Sequence, residues 1–560
     1  MNLLTSQKGG LSRRQFILKT GGTAAGATTA ASMLAQLKMM EVAANAQAAS
    51  PSSYKALVCV FLAGGNDSNN LLLPFGTSQA RTDYQTGRGV LALPTASANA
   101  TANTLPINAT NVAACEPLSG YLAATDAFGV HPQCGHIRTL FNDNKLAFLA
   151  NVGNLVDDNI TRANYATTTK PPQLYSHSDQ VTQWQSAIPD RPFTSGWGGR
   201  VANHLHALSP AGTFNSRTVS IAGVSNYLYA STGSVQPYVM SSSGVVALSG
   251  YGSGTTPYSL AVNNPAVLFD DANYKNAEQG MRLKGFEKIL LSSHANLMEK
   301  TYSGIVENSR LTEAEMNTAL AVTAGSTAGT STLDSFFNDP FNGTGISSNN
   351  DFTNQMKLVA RLIVGQAELG NNRHVFFVQQ GGHDTHISQI PVNGSGVPLT
   401  TAGHAGLLHV LSCTLKGFYD ALASTGAINN TVAFTASDFT RTFTPNKTDA
   451  SAGSDHAWGG HHMIFGGPVI GGRVYGKYPP LKLGDAASSI DAVGTRGLWI
   501  PTTSVDQYSA ILARWFGVPY AADANGVISG DTLNLFPNIN RFLNPFTNTA
   551  ANLGFINNFA

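Results

Sequence analysis

The sequence predicts an α/β fold built on a doubly wound, mostly parallel sheet flanked by helices, and three observations predict it. Four short apolar runs recur along the chain, at residues 55–62 (KALVCVFL), 145–152 (KLAFLANV), 374–380 (HVFFVQQ) and 431–437 (TVAFTAS). Runs of this length without polar alternation are expected of strands buried on both faces, as in parallel sheets. Helical patterns separate them, notably 352–369 and 404–422, so the third and fourth runs with the second of those helices form a βαβ unit. The first and third runs stop at glycine pairs, Gly64-Gly65 and Gly381-Gly382, and the fourth at Ser437-Asp438.

At the amino terminus, Ser12-Arg13-Arg14-Gln15-Phe16 precedes a weakly apolar run at 20–37 and the small-residue sites Ala44-Asn45-Ala46 and Ala46-Gln47-Ala48. This resembles a twin-arginine export signal over residues 1–48, and it predicts a bacterial periplasmic or secreted protein that meets the twin-arginine export machinery. Gly and Thr interrupt the run too often for a stable membrane span, and no later stretch is long and apolar enough. Residues 49–560 then form the α/β domain. Between about 201 and 350 the text changes to short Gly/Ser/Thr-rich pieces, a helical stretch at 276–306 and a low-complexity piece at 324–333. That region reads as an insertion or cap on the sheet.

Composition narrows the function. Charged residues are 12% of the chain, and 33 Lys+Arg against 32 Asp+Glu leave a net charge of +1. Globular proteins carry about 25% charged residues. The signal-like segment holds Lys8, Arg13, Arg14, Lys19 and Lys38 against Glu41, so the rest is mildly acidic. Neither part supplies a basic field for nucleic acid. Cys115 and Cys134 fall in one loop-rich segment that an oxidising compartment allows to be bridged, whereas Cys59 and Cys413 sit in apolar runs as buried thiols. No GxGxxG, P-loop lysine or GxSxG is present, which disfavours nucleotide binding and the familiar serine-hydrolase elbow.

Ligands of open α/β sheets bind beyond the carboxyl ends of the strands. There the chain places Asp67 after the first strand, His383, Asp384 and His386 after the third, and Asp438 and Arg441 after the fourth; His456, His461 and His462 follow. Carboxylate and neutral imidazole suit a borderline divalent ion such as zinc, one or two ions being open. Asp384 and His386, two apart, turn to one face of an extended segment. Ser176, in YSHSDQ before a helical pattern, is either a nucleophile or a helix cap. Arg200 and Arg441 are anion binders or partners of structural carboxylates.

These motifs, with VFLAGGNDSNNLLLPF at 60–75, SHSDQVTQWQ at 176–185, GWGGR at 196–200, QQGGHDTHISQ at 379–389, SDFTRTFTPN at 437–446 and GSDHAWGGHHMIFGGPVIGG at 453–472, make the chain resemble the domain of unknown function 1501 family. That family is similar to the alkaline phosphatase and sulfatase superfamily. The resemblance implies an alkaline-phosphatase-like fold and a metal-dependent hydrolase of phosphate or sulfate esters. It further implies Asp67, Asp384, His386, Asp438 and His456 or His461 as metal ligands, and Ser176 as a hydroxyl nucleophile between ions. Two departures stand out: Asp438-Phe439 replaces the superfamily's Asp-His pair, and Asp384-Thr385-His386 replaces a wider Asp-to-His spacing. The alternative is a noncatalytic exported binding protein, or a cell-envelope assembly or secretion-associated protein, on the same fold.

Overall fold

The computed structural model describes residues 54–93, 116–117, 128–208, 217–230, 235–245, 278–290, 296–323, 332–394, 398–484 and 489–556. The signal-like segment and Cys115 lie outside them. The central sheet contains β1 (Lys55–Leu62), β2 (Leu146–Gly153), β3 (Thr218–Ser220), β4 (Tyr238–Val239), β5 (Arg373–Gln380), β6 (Thr431–Ser437), β7 (Gly460–Gly466), β8 (Val474–Gly476) and β9 (Thr503–Ser504). Its order is β8-β2-β7-β6-β1-β5-β3-β4, with β9 also pairing β2. Only β7 is antiparallel to its neighbours, β2 and β6; the other pairs are parallel.

The four apolar runs of the sequence are β1, β2, β5 and β6. β1 lies between β5 and β6, pairing both in parallel along its length, so three strand ends open at one edge of the sheet. Every residue of β1, β2 and β6 is buried, as continuous apolar runs require. Two short strands from the region between 201 and 350, β3 and β4, extend the sheet beyond β5.

Helices cover both faces. On one, Ala56, Val58, Val60 and Leu62 of β1 share a core with Met356 and Val359 of Asp351–Val364 and with Leu408, Leu411 and Leu415 of Gly403–Ser424. Met316 and Ala319 of the long helix Leu297–Val322 join that core. On the other face, Phe434 of β6 meets Trp197 and Tyr508, and Phe377 of β5 meets Phe61 and Tyr227. Full burial of each such side chain stabilises by about 1.5–3 kcal/mol, so the strands are fixed from both sides and their ends become a rigid platform. Among the described residues, no helix is long and apolar enough to cross a membrane.

Candidate metal centre

The loops leaving β1, β5 and β6 touch. Gly64 and Gly65 have φ of 109° and 80°, and a Cβ on Gly64 would stand 2.5 Å from the Asp384 amide nitrogen. Glycine is therefore needed there for both backbone conformation and approach. Ser437 Oγ donates to Leu62 O at 2.6 Å, and Gly64 N donates to Asp438 Oδ1 at 3.0 Å, tying the β1 and β6 loops. The helix His177–Ser186 brings a fourth segment to the same place.

Three imidazoles converge on Asp384. From Asp384 Oδ1, His386 Nε2 is 3.2 Å away, His177 Nε2 3.5 Å and His456 Nε2 3.7 Å. His386 Nε2 and His456 Nε2 are 2.9 Å apart. The opposite nitrogen of each ring meets an acceptor: His177 Nδ1 meets Asp438 Oδ2 at 2.7 Å, His386 Nδ1 meets Asp455 Oδ1 at 2.9 Å, and His456 Nδ1 meets Tyr175 O at 2.7 Å. Such partners fix the proton on Nδ1 and leave a neutral ring's lone pair on Nε2. The lone pairs of His386 and His456, facing across 2.9 Å, repel unless a proton or a cation lies between them. His177 Nε2 has no hydrogen-bond partner.

This donor set fits a divalent ion. Two ligand atoms each about 2.0–2.1 Å from a tetrahedral zinc stand about 3.3 Å apart, close to the separations here. Ligand atoms of His177, Asp384 and His456 all lie within 4.8 Å of one another, and those of His386, Asp384 and His456 within 3.7 Å. The outer carboxylates and carbonyl supply the second layer that ordinarily orients metal-bound histidines.

The electrostatics favour ionised carboxylates and a neutral His456, while His177 holds its proton more tightly, so an ion there competes with that proton. Burial opposes ionisation of Asp384, but the Arg441 guanidinium on Oδ1 outweighs it and holds the carboxyl below its usual range. Burial likewise opposes Asp455, whose pKa is nevertheless held at about 2 by Arg496, Asn446 and His386. Burial pushes His456 down, favouring the neutral ring, while the Asp438 hydrogen bond raises His177. Phe439 packs its ring 4.7 Å from that of His177 and 4.6 Å from that of His456.

The sequence-derived candidates divide. Asp384, His386 and His456 meet at the centre. Asp438 is brought there too, but behind His177, with one oxygen on its ring and the other on Gly64 N. Asp67 is fully buried against Arg88 and Gln389. His461 accepts from Asn151 N at 3.1 Å and stacks on Tyr478 at 4.7 Å, because the register shift between Gly460 and His462 turns it into the interior. Arg441 is fully buried on Asp384 and the carbonyls of Gly64, Gly65 and Ser454. Arg200 is taken up by the carbonyls of Ser186, Ser195 and Leu535. Ser176 makes no side-chain cap; its hydroxyl donates to Asp179 Oδ2 at 2.6 Å. His177 and Asp455 join the centre without having been among the candidates, although both stand in the motifs at 176–185 and 453–472. The available signal for His177 was a histidine at the first turn of a helix that follows a strand end.

The fold and this cluster together define an α/β protein with a histidine–carboxylate centre at its strand ends. The chain belongs to the protein family of unknown function DUF1501, whose model matches residues 54–493. No curated protein matches it. Among solved structures it is similar to Ps i-CgsB in complex with k-i-k-neocarrahexaose, at 11% identity and a TM-score of 0.27 over 88% of this chain and 78% of that one. A second structure, Ps i-CgsB, stands at 10% identity, TM-score 0.27 and the same coverage.

Proposed function

We propose that this chain is a metal-dependent hydrolase of phosphate or sulfate esters, exported through the twin-arginine route. The observation that carries the reading is the convergence of three imidazole Nε2 atoms on Asp384 Oδ1 at strand ends, with each ring oriented from behind. His177, Asp384 and His456 would hold one divalent ion, with His386 as a further donor beside His456, zinc being the best match to the donors. When bound, such an ion polarises a phosphoryl or sulfuryl oxygen and favours ionisation of a nearby hydroxyl.

The chain's own residues supply the rest. Ser176 Oγ donates to Asp179 Oδ2 and so has an acceptor for its proton as it attacks phosphorus or sulfur. As the bond from Oγ to phosphorus or sulfur forms, the bond to the ester oxygen breaks and that oxygen takes a proton from solvent; water then attacks the seryl ester, releasing phosphate or sulfate and returning the Ser176 hydroxyl. Asp438, Asp455 and the Tyr175 carbonyl hold the three rings in orientation, and Arg441 keeps Asp384 ionised.

Protein purified without chelators is expected to carry about one divalent ion per chain and to hydrolyse aryl phosphate or aryl sulfate. Ser176→Ala and Asp384→Ala should fold and lose that turnover; metal-free, inactive parent protein would refute the reading. One observation favours a noncatalytic alternative: the apolar ring of Phe439 packs against His177 and His456, and Asp438 is engaged by His177, so neither residue offers a donor for a second ion. That alternative predicts one bound ion and no turnover of either ester.

A further inference from the structure

One of the converging imidazoles is oriented by a backbone carbonyl, and that carbonyl belongs to a residue in an uncommon conformation. Tyr175, whose oxygen accepts from His456 Nδ1 at 2.7 Å, has φ of 76°. Bulky residues other than glycine are rarely found there unless the surroundings over-determine the backbone. Here the surroundings do so. The Tyr175 ring packs on a cluster that includes Leu155, Ile160, Trp458 and Phe542. Its hydroxyl shares a 2.9 Å hydrogen bond with that of Tyr165, whose ring meets Trp458 edge-on at 6.3 Å.

The same bend sets the path of the next two residues. Ser176 returns to φ of −88° and begins the helix whose first residue is His177. If Tyr175 relaxed to a negative φ, the rotation would exceed a right angle and would carry its carbonyl away from its present line to the His456 ring. Ser176 and His177 would swing with it relative to the anchored ring.

We infer that Tyr175 is a positioning residue of this centre: its left-handed backbone aims one carbonyl at His456 Nδ1 and, in the same bend, delivers Ser176 and His177 to the strand ends. Its bearing on metal binding rests on the metal-centre reading proposed above. Its bearing on His456 does not.

Three variants of the full chain test it. Tyr175→Gly removes the ring but accepts a positive φ freely; Tyr175→Val makes that φ costly; Tyr175→Phe keeps ring and backbone and loses only the Tyr165 contact. In chelator-stripped protein titrated with zinc, the Gly and Phe variants should bind within about threefold of the parent. The Val variant should bind at least about tenfold more weakly, as for loss of an orienting partner. Nitrogen-15 spectra of the stripped protein should find the His456 proton on Nδ1 in the parent, Gly and Phe forms and lost from that site in Val. If Val does not fold, Tyr175→Ala replaces it: it lacks the ring, as Gly does, so weaker binding than Gly reports the backbone. Equal losses in the ringless variants, or a Val variant identical to the parent, would overturn the inference. A parent that binds no zinc would end the metal reading alone, since the imidazole signature still decides the role of Tyr175.

Discussion

His383 and His386 stand three residues apart in one loop and occupy opposite environments. His383 is fully buried, with Gln380 Oε1 at 3.3 Å from its ring and the ring of His404 at 6.4 Å; His131 lies 5.9 Å beyond His404. Nearby, Asp67 is paired with the buried guanidinium of Arg88. The side chain of His386 is 39% exposed and that of Asp384 50%. Both groups are rich in imidazole and contain a carboxylate that pairs with arginine. In the inner group the rings meet neutral amides, and burial forbids their charge; in the outer group every ring is turned so that a lone pair faces the carboxylate. Histidine and aspartate content is therefore a poor guide to a metal centre, whereas the second partner of each ring is a good one.

The largest effect that separates the two groups is on stability. Asp67→Asn leaves Arg88 buried without its counter-charge and is expected to destabilise by about 3–5 kcal/mol in urea unfolding. Zinc affinity of the folded fraction should hold; a fall in affinity with unchanged stability would place Asp67 in the metal centre. Next, Asp384→Asn should weaken zinc binding by more than about 100-fold, a larger loss than an orienting residue produces, and in chelator should destabilise less than Asp67→Asn, because the buried Arg441 loses a counter-charge that is itself half exposed. Asp455→Asn acts through His386 and should weaken it by about 10–100-fold. Equal losses for those two would erase the distinction between ligand and orienting residue.

The smallest effect is a slope. Burial pushes His131 and His404 down to about 3, against about 6.5 in an unfolded chain. Between those values the unfolded chain binds a proton that the folded chain refuses, so stability falls as pH falls. Each such histidine contributes about 1.4 kcal/mol per pH unit. His404→Gln retains an amide donor for Asn66 Oδ1 and should remove one such increment from the slope of urea-derived stability in that window. A slope identical to the parent's would mean that His404 is not held neutral.

Much of the framework was legible in the residues. Continuous apolar runs located β1, β2, β5 and β6 because burial on both faces leaves no room for polar alternation. The strand β7 is not legible as one in the residues, since its text, GHHMIFG, places two histidines inside an apolar strand. Both are buried and pushed down to about 3 by burial, as core residues are. Asp384, His386 and His456 were recoverable from their place after strand ends. His177 was not, because a histidine at a helix start has many uses. Cys134 is buried, and its thiol feels Cys413 from across the fold, a neighbour that spacing along the chain gave no means to find.

By itself, then, the sequence determined the class of fold, the edge of the sheet where chemistry gathers, and the glycines that let three loops meet there. Those properties follow from local patterning and from the missing Cβ. Tertiary structure alone decided which residues face one another: that Asp67 meets an arginine, that His461 turns inward at a bulge, and that His177 arrives from a separate helix. Which nitrogen of each ring carries its proton was decided there too, because an imidazole becomes a ligand only when a partner from elsewhere in the chain takes the proton on its other side.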